Sequence, residues 1–439
     1  MMDKLTPDLL KMYRRRSVTP VIVEAKSGLF ESVRSQLKSI VPTSLLEAKF
    51  HTFLPRITPL IEFPLTKWKE IKTFNMIATV LTPELIEEVA QWRDVQRIYP
   101  DYIKWALSTV PPQGVFKDYR GKPFTSTYWT KKMMGLDKAN TKGFTGKGVT
   151  TVVIDTGARA THEQLRGRVR SLTAAPEKGM SGEDTDGHGS WCNSCVGGRY
   201  AIDRRYNVPV EGMAPDCNLI SIQALGFIVG MGCSSDIIKA MELSIGLGAK
   251  VVSMSLGSDD APKDEDNPEA KAINKLVEAG IIPCVAAGNS GPNPGTIGSP
   301  GSCLNSLTVA AWDELEGKVA DFSSRGPTAD GYIKPDVAAP GVRINSALVG
   351  FLDGITDPSQ PHYGPISGTS MATPHCAGLV TCMAQLYGEK IGRELTVDEV
   401  KRMMEKLGPN QPKDTNVGWG LITWDIVEQW VSTEYGVAV

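Results

Sequence analysis

No apolar run in this chain approaches the ~18 consecutive residues that a membrane-crossing helix needs, so a bilayer-spanning segment is not expected. Charge of one sign is missing too. There are 47 Lys and Arg against 49 Asp and Glu, a net charge of −2. A near-neutral chain carries no general attraction for nucleic acid or anionic lipid, and neither partner is expected. The N-terminal MMDKLTPDLLKMYRRRSV has basic residues but no apolar core and no small-residue cleavage site, so it does not read as a secretory leader. No Asn-x-Ser/Thr acceptor occurs either. These absences favour an intracellular or virion-associated protein, or one trimmed of its leader.

Cysteine is present but unpatterned. Eight residues are scattered from Cys192 to Cys382, several inside apolar runs such as IIPCVAAG and CAGLVTCMAQL. Buried reduced thiols are expected. Cys192 and Cys195 form a C-x-x-C on an expected helix, with no second metal pair nearby to complete a zinc site.

With 439 residues, 41% of them hydrophobic and 22% charged, the chain can form two or three globular domains. Residues 1–18 read as a flexible basic tail. From 19 to 107 the pattern is β-α-β-β-α-β, a small ferredoxin-like α+β domain. Its strands are expected in PVIVEA (20–25), ITPLIEF (57–63), FNMIATVL (74–81) and VQRIY (95–99), with Thr82 capping a helix through ELIEEVAQW. Residues 108–126, rich in Pro, Gly and polar side chains, form a linker. From 127 to 439 near-continuous apolar strands alternate with helices: VTTVVID, NLISIQAL, KVVSMSL, IIPCVAAG and SLTVAAW. That alternation predicts an α/β fold, a three-layer parallel sheet with helices on both faces. Functional groups then gather beyond the carboxyl ends of the strands. Thr396 and Glu399 are spaced as a capping box for a late helix.

Three Gly-rich turns carry catalytic residue types. They are Asp155 in VVIDTG, His188 in DGHGS and Ser370 in SGTSMATPH. A serine hydroxyl is a poor nucleophile until an imidazole takes its proton, and the imidazole needs an acceptor to fix its tautomer. Taken singly, an Asp-Thr-Gly is usually a tight turn, GHG a loop histidine and SGTSMA a helix cap. All three together point to acyl-bond cleavage. Ser370 precedes a long apolar helix, so its N–H would lie where the dipole favours developing negative charge. Asn289 in AAGNSG, after a strand, can supply a second oxyanion donor.

These segments, with GMAPDCNLI (212–220), SMSLG (253–257), FSSRGP (322–327) and KPDVAAPG (334–341), resemble the subtilisin-like serine proteases over roughly residues 127–431. The resemblance implies Asp155 as orienter, His188 as general base then acid, Ser370 as nucleophile and Asn289 in the oxyanion hole. It implies that His375 and His162 are structural. Peptide and protein substrates would add as a strand between Gly230–Gly232 and Ser255–Gly257. A primary pocket walled by Leu256, Ala287, Gly288 and the 296–301 segment, with Gly298 leaving it deep, favours a large apolar side chain before the cut. Asp259 and Asp260, in SDDAPKDEDNPEA (258–270), raise a competing basic preference; the preferred reading is a solvated acidic loop.

The 19–107 domain resembles the propeptide that assists folding and then inhibits its own enzyme. An autoprocessing zymogen cut at Leu107–Ser108 is expected. No cofactor is required for the chemistry. A structural calcium is left unsupported, because Gln164 stands where many relatives carry a ligating aspartate. Asp203, Asp264 and Asp266 are surface candidates for another cation site. Ser190-Trp191 replaces the usual residues after the histidine motif, so unusual packing behind His188 is expected, and Trp191 is a candidate to block the cleft.

Overall fold

The computed structural model describes residues 4–12, 18–47, 51–53, 62–64, 68–106, 124–226, 230–350 and 363–439. The first domain opens with helix α1 (Pro7–Met12) and continues through β1 (Thr19–Ala25), α2 (Phe30–Ile40), β2 (Trp68–Ile71), β3 (Met76–Leu81), α3 (Pro83–Gln91) and β4 (Val95–Pro100). The strands form an antiparallel sheet in the order β2-β3-β1-β4. Thr82 caps α3 by accepting from the Leu85 N–H at 3.4 Å.

One expectation fails here. Residues 7–12 are not a free tail. Leu5 bridges to Ile98 just before the helix and Leu9 lies within it, and both are buried in the core that holds Val21, Val23 and Ile98, which docks the segment on the sheet. Of the strand expected at 57–63, residues 57–61 lie outside the described residues, and 62–63 fall in a short strand, Glu62–Pro64, paired with His51–Phe53 apart from the main sheet. The sheet instead uses Trp68–Ile71, where Lys69 and Ile71 are buried and Trp68 and Glu70 are half-buried.

After the first domain a short strand, β5 (Ile103–Ala106), leaves the sheet and enters the second domain. The second domain is built on β6 (Thr150–Asp155), β7 (Val169–Thr173), α4 (His188–Gly197), β8 (Asn218–Gln223), β9 (Met231–Cys233), α5 (Ser234–Gly246), β10 (Val251–Met254), β11 (Leu256–Gly257), α6 (Pro268–Glu278), β12 (Ile282–Ala286), β13 (Leu307–Asp313), β14 (Val337–Pro340) and α7 (Thr369–Leu386). The parallel sheet runs β7-β8-β6-β10-β12-β13-β14. Period-two alternation explains the unbroken apolar runs. Val152 and Ile154 face a core with α5 and α6, while Val153 faces a core with α4 and α7. The three-layer α/β architecture is the one the alternation predicts.

The first strand, β6, lies between β8 and β10, so the chain order reverses there. That crevice is where open α/β sheets place their ligands. Among the described residues, no helix is long and apolar enough to cross a membrane.

Near the C-terminus, Thr396 caps its helix through the Glu399 N–H at 3.2 Å. The reciprocal half of the capping box is replaced. The Glu399 carboxylate turns inward and accepts from Tyr387 Oη (2.9 Å) and Arg393 (2.7 Å), since a buried carboxylate gains more from those donors than from one backbone N–H.

Candidate active site

β6 ends at Asp155 and α4 begins at His188, and the two side chains meet there. His188 Nδ1 lies 2.7 Å from Asp155 Oδ1, both residues fully buried. The approach of the backbones depends on Gly189: a Cβ there would sit 2.2 Å from the Gly157 carbonyl oxygen. Burial pulls the His188 pKa down. The charge and hydrogen bond of Asp155, with Asp186 and Asp184 behind, outweigh that and raise it above the ordinary histidine value.

Asp184 organises the histidine turn. Its carboxylate accepts from the N–H groups of Asp186 (3.1 Å), Gly187 (2.8 Å) and Ser190 (2.7 Å), and from Thr156 Oγ1 (2.9 Å). Thr156 Oγ1 in turn accepts from the Gly189 N–H at 2.7 Å. Asp186 accepts from the His188 N–H at 3.0 Å. Burial and the charge of Asp184 push the Asp186 carboxyl up to about 7. Sequence reasoning passed over both acids. The signal was present: an Asp-Thr-Asp directly before a GHG is suited to capping its N–H groups.

Ser370 sits in the first turn of α7, fully buried. Its hydroxyl donates to the Ser255 carbonyl at 3.0 Å, and the Ser255 hydroxyl donates back to the Ser370 carbonyl at 2.9 Å. His188 Nε2, buried, has no hydrogen-bond partner among the described residues. One thiol touches both halves of the site: Cys192 Sγ lies 3.8 Å from His188 Nδ1 and 3.6 Å from the Ser370 carbonyl oxygen. The structure therefore forms the Asp–His pair and links Ser370 to it through Cys192, with the serine hydroxyl turned to Ser255.

Asn289, three residues beyond β12, has its carboxamide oxygen fixed by two donors, the Thr369 N–H and Oγ1, each at 2.9 Å. Its NH₂ is thus the end oriented to donate elsewhere. Gly288 donates to Thr369 Oγ1 at 3.2 Å. Leu256, Ala287 and Gly298 are buried, and a Cβ on Gly298 would meet the Ser258 carbonyl at 1.8 Å.

The cleft contains a strand of this same chain. β5 lies antiparallel between β9 and β11, pairing Lys104 with Gly232, Trp105 with Met231 and Gly257, and Ala106 with Leu256. Gly230 is the turn before β9, and Ser255 directly precedes β11. Leu107 and Ser108 lie outside the described residues. Buried polar contacts tie the first domain to this face. Lys69 pairs with Asp236 and with Glu177 (2.9 Å), and Asp101 accepts from the Ser235 N–H (2.8 Å) and Oγ (2.6 Å) at the start of α5.

Several expectations are corrected. Trp191 does not block the cleft; it is fully buried in the core against His375, with its indole N–H donating to Gly364 O at 3.3 Å. Asp203 is not a surface group: it is buried, accepting from Asn345 Nδ2 at 2.9 Å. Asp264 accepts from the Leu304 N–H (3.0 Å), while Asp266 pairs with Arg97 (3.1 Å). The acidic run 258–270 is not uniformly solvated either, because Glu269 within it is buried.

The structural histidines are placed by specific contacts. His375 meets Thr130 Oγ1 (2.6 Å) and the Met371 carbonyl (2.7 Å), and burial lowers its pKa to about 4. His162 packs edge-on to Tyr363 and accepts from the Gln164 N–H at 3.2 Å. His362 lies outside the described residues, and His51 falls in a short strand. All eight cysteines are buried and unpaired with one another. Among the described residues, the one group of three possible metal ligands within 4.8 Å is Asp155, His188 and Cys192, which is the Asp–His pair with the thiol beneath it.

Comparison with known proteins agrees with this geometry. The model of the subtilase family (Peptidase_S8) matches residues 146–420, more than half of the chain. The chain is 37% identical over 294 residues to "Serine protease AprX" of Bacillus subtilis, covering 63% of this chain and 64% of that protein. It is 36% identical over 293 residues to "Subtilisin" of Bacillus sp. (strain TA39), covering 62% and 65%. It is 35% identical over 224 residues to "Pyrolysin" of Pyrococcus furiosus, covering 45% and 15%. The chain thus spans less than two thirds of the length of these relatives.

Proposed function

Because this chain belongs to the subtilase family, we propose that it is a serine endopeptidase made as an autoprocessing zymogen. Ser370 Oγ attacks the peptide carbonyl carbon while His188 Nε2 takes its proton. Asp155 holds the imidazole tautomer and balances the imidazolium. The oxyanion is met by the Asn289 amide and the Ser370 N–H at the start of α7. His188 then passes its proton to the leaving amine, and water hydrolyses the acyl-enzyme by the same route in reverse. The hydrolysis needs no cofactor.

The observation that carries the reading is the seating of β5. An extended peptide paired on both edges is how a protease holds substrate, and main-chain pairing accepts many sequences. Ala106 pairs with Leu256, the neighbour of Ser255, whose carbonyl accepts from Ser370. That register supports self-cleavage at Leu107–Ser108, with the 19–107 domain acting as an intramolecular inhibitor. Leu256, Ala287, Gly288 and Gly298 carry no charge, which supports a large apolar side chain before the cut. Substrates are peptides and proteins.

The test is expression of the full chain and Ser370→Ala side by side, with mass analysis and N-terminal sequencing. A new N-terminus at Ser108 in the wild type alone is expected. A mature N-terminus after Arg120 or Lys132 would favour a basic preference instead, and identical uncut products would remove the autoprocessing claim.

A further inference from the structure

The strand in the cleft buries a charge. Lys104 is 1% exposed and Glu269 is 1% exposed, and Lys104 Nζ lies 2.9 Å from Glu269 Oε2. The ammonium also donates to Ser258 Oγ at 3.0 Å and to the Ser299 carbonyl at 3.4 Å. Nζ sits 5.8 Å from the centre of the Tyr102 ring. Among the described residues, the partners of this ammonium other than Tyr102 belong to the second domain, so they persist when the first domain is replaced by another peptide.

Glu269 is fixed independently of the lysine. It lies in the first turn of α6, where negative charge is favoured. Its N–H is held by the Asn267 cap (3.0 Å), and Ser299 Oγ donates to its Oε2. Its second oxygen, Oε1, is buried with no hydrogen-bond partner among the described residues. A buried carboxylate with one hydroxyl donor is poorly compensated unless a cation arrives.

We propose that Glu269 is a specificity residue of the cleft and selects substrates with a basic side chain, lysine above all, at the position of Lys104. This rests on the endopeptidase reading above. On its register, that position is the fourth residue before the cut bond. Substrates would then read as basic-x-x-apolar, with the basic side chain fixed by Glu269, Ser258 and the Ser299 carbonyl. An apolar side chain of equal length would fill the space and leave Glu269 uncompensated. An acidic one would add repulsion.

The test uses protein expressed as the full chain, after self-cleavage and removal of the released first domain, and three quenched-fluorescent peptides of the sequence 101–112. One carries Lys at position 104, one norleucine and one Glu. The expected result is a kcat/KM at least about ten-fold higher for lysine than for norleucine, and no measurable cleavage of the glutamate peptide. In Glu269→Gln the lysine-to-norleucine ratio should fall to within about two-fold. Equal wild-type rates for lysine and norleucine, or a ratio unchanged in Glu269→Gln, overturn the proposal while leaving the endopeptidase reading intact. Cleavage of none of the peptides removes the endopeptidase reading and the preference with it. Should Glu269→Gln not fold, the wild-type ratio alone decides.

Discussion

Nδ1 of His188 and Oδ1 of Asp155 lie 2.7 Å apart, with both side chains fully buried. At that depth an ion pair is screened little by water, so the protonated imidazole is held more strongly than in solution. The base that a serine protease needs is the neutral ring. Reaching it requires a pH above the raised pKa of His188.

Activity should therefore rise with pH along a limb displaced above the ordinary histidine value of ~6.5. Asp155→Asn removes the charge that holds the imidazolium and disturbs the tautomer. A loss in kcat of about 10⁴-fold is expected, the magnitude found when the orienter is removed from serine-protease triads. The pH dependence of kcat/KM for wild type, and kcat for the variant, are the checks.

Asp184→Ala should unfold the histidine turn before it affects chemistry directly. The change strands three buried N–H groups and the Thr156 hydroxyl. Each orphaned donor costs on the order of 1–3 kcal/mol, so a destabilisation of at least about 3 kcal/mol is expected. Urea unfolding in the Ser370→Ala background, which prevents self-digestion, measures it.

Asp101 makes the docking of the first domain depend on pH. Burial pushes its carboxyl up to about 6, against the attraction of Lys178 and the hydroxyl of Ser235, while Asp236 repels it. The unfolded value is ~3.9, so folding takes up a proton. The stabilisation is complete below ~3.9 and is lost as the pH rises through about 6. In the Ser370→Ala background, the urea midpoint should fall between pH 4 and pH 7.5. Asp101→Asn should flatten that fall, and an unchanged slope would show that other groups set it.

Much of the site could be read from the chain. Asp155, His188, Ser370 and Asn289 each follow a strand or open a helix, and their Gly-flanked motifs are local. What escaped reading was long-range compensation. Glu269 looked like part of a solvated acidic loop because its partner, Lys104, stands 165 residues earlier in the chain. Lys69–Asp236 hid the strand Trp68–Ile71 for the same reason: charged residues alternating with apolar ones suggest solvent until the partner is known. Leu5 and Leu9 were masked by the basic residues around them. The hydroxyl direction of Ser370, toward Ser255, is a rotamer, and motifs do not encode it.

The account depends most on Ser370 being the activated nucleophile. Treating the self-cleaved protein, freed of its first domain, with a fluorophosphonate and mapping the adduct by mass spectrometry tests this directly. One adduct on Ser370, lost in His188→Ala, is the predicted result. No adduct, or an adduct confined to another serine, would contradict it.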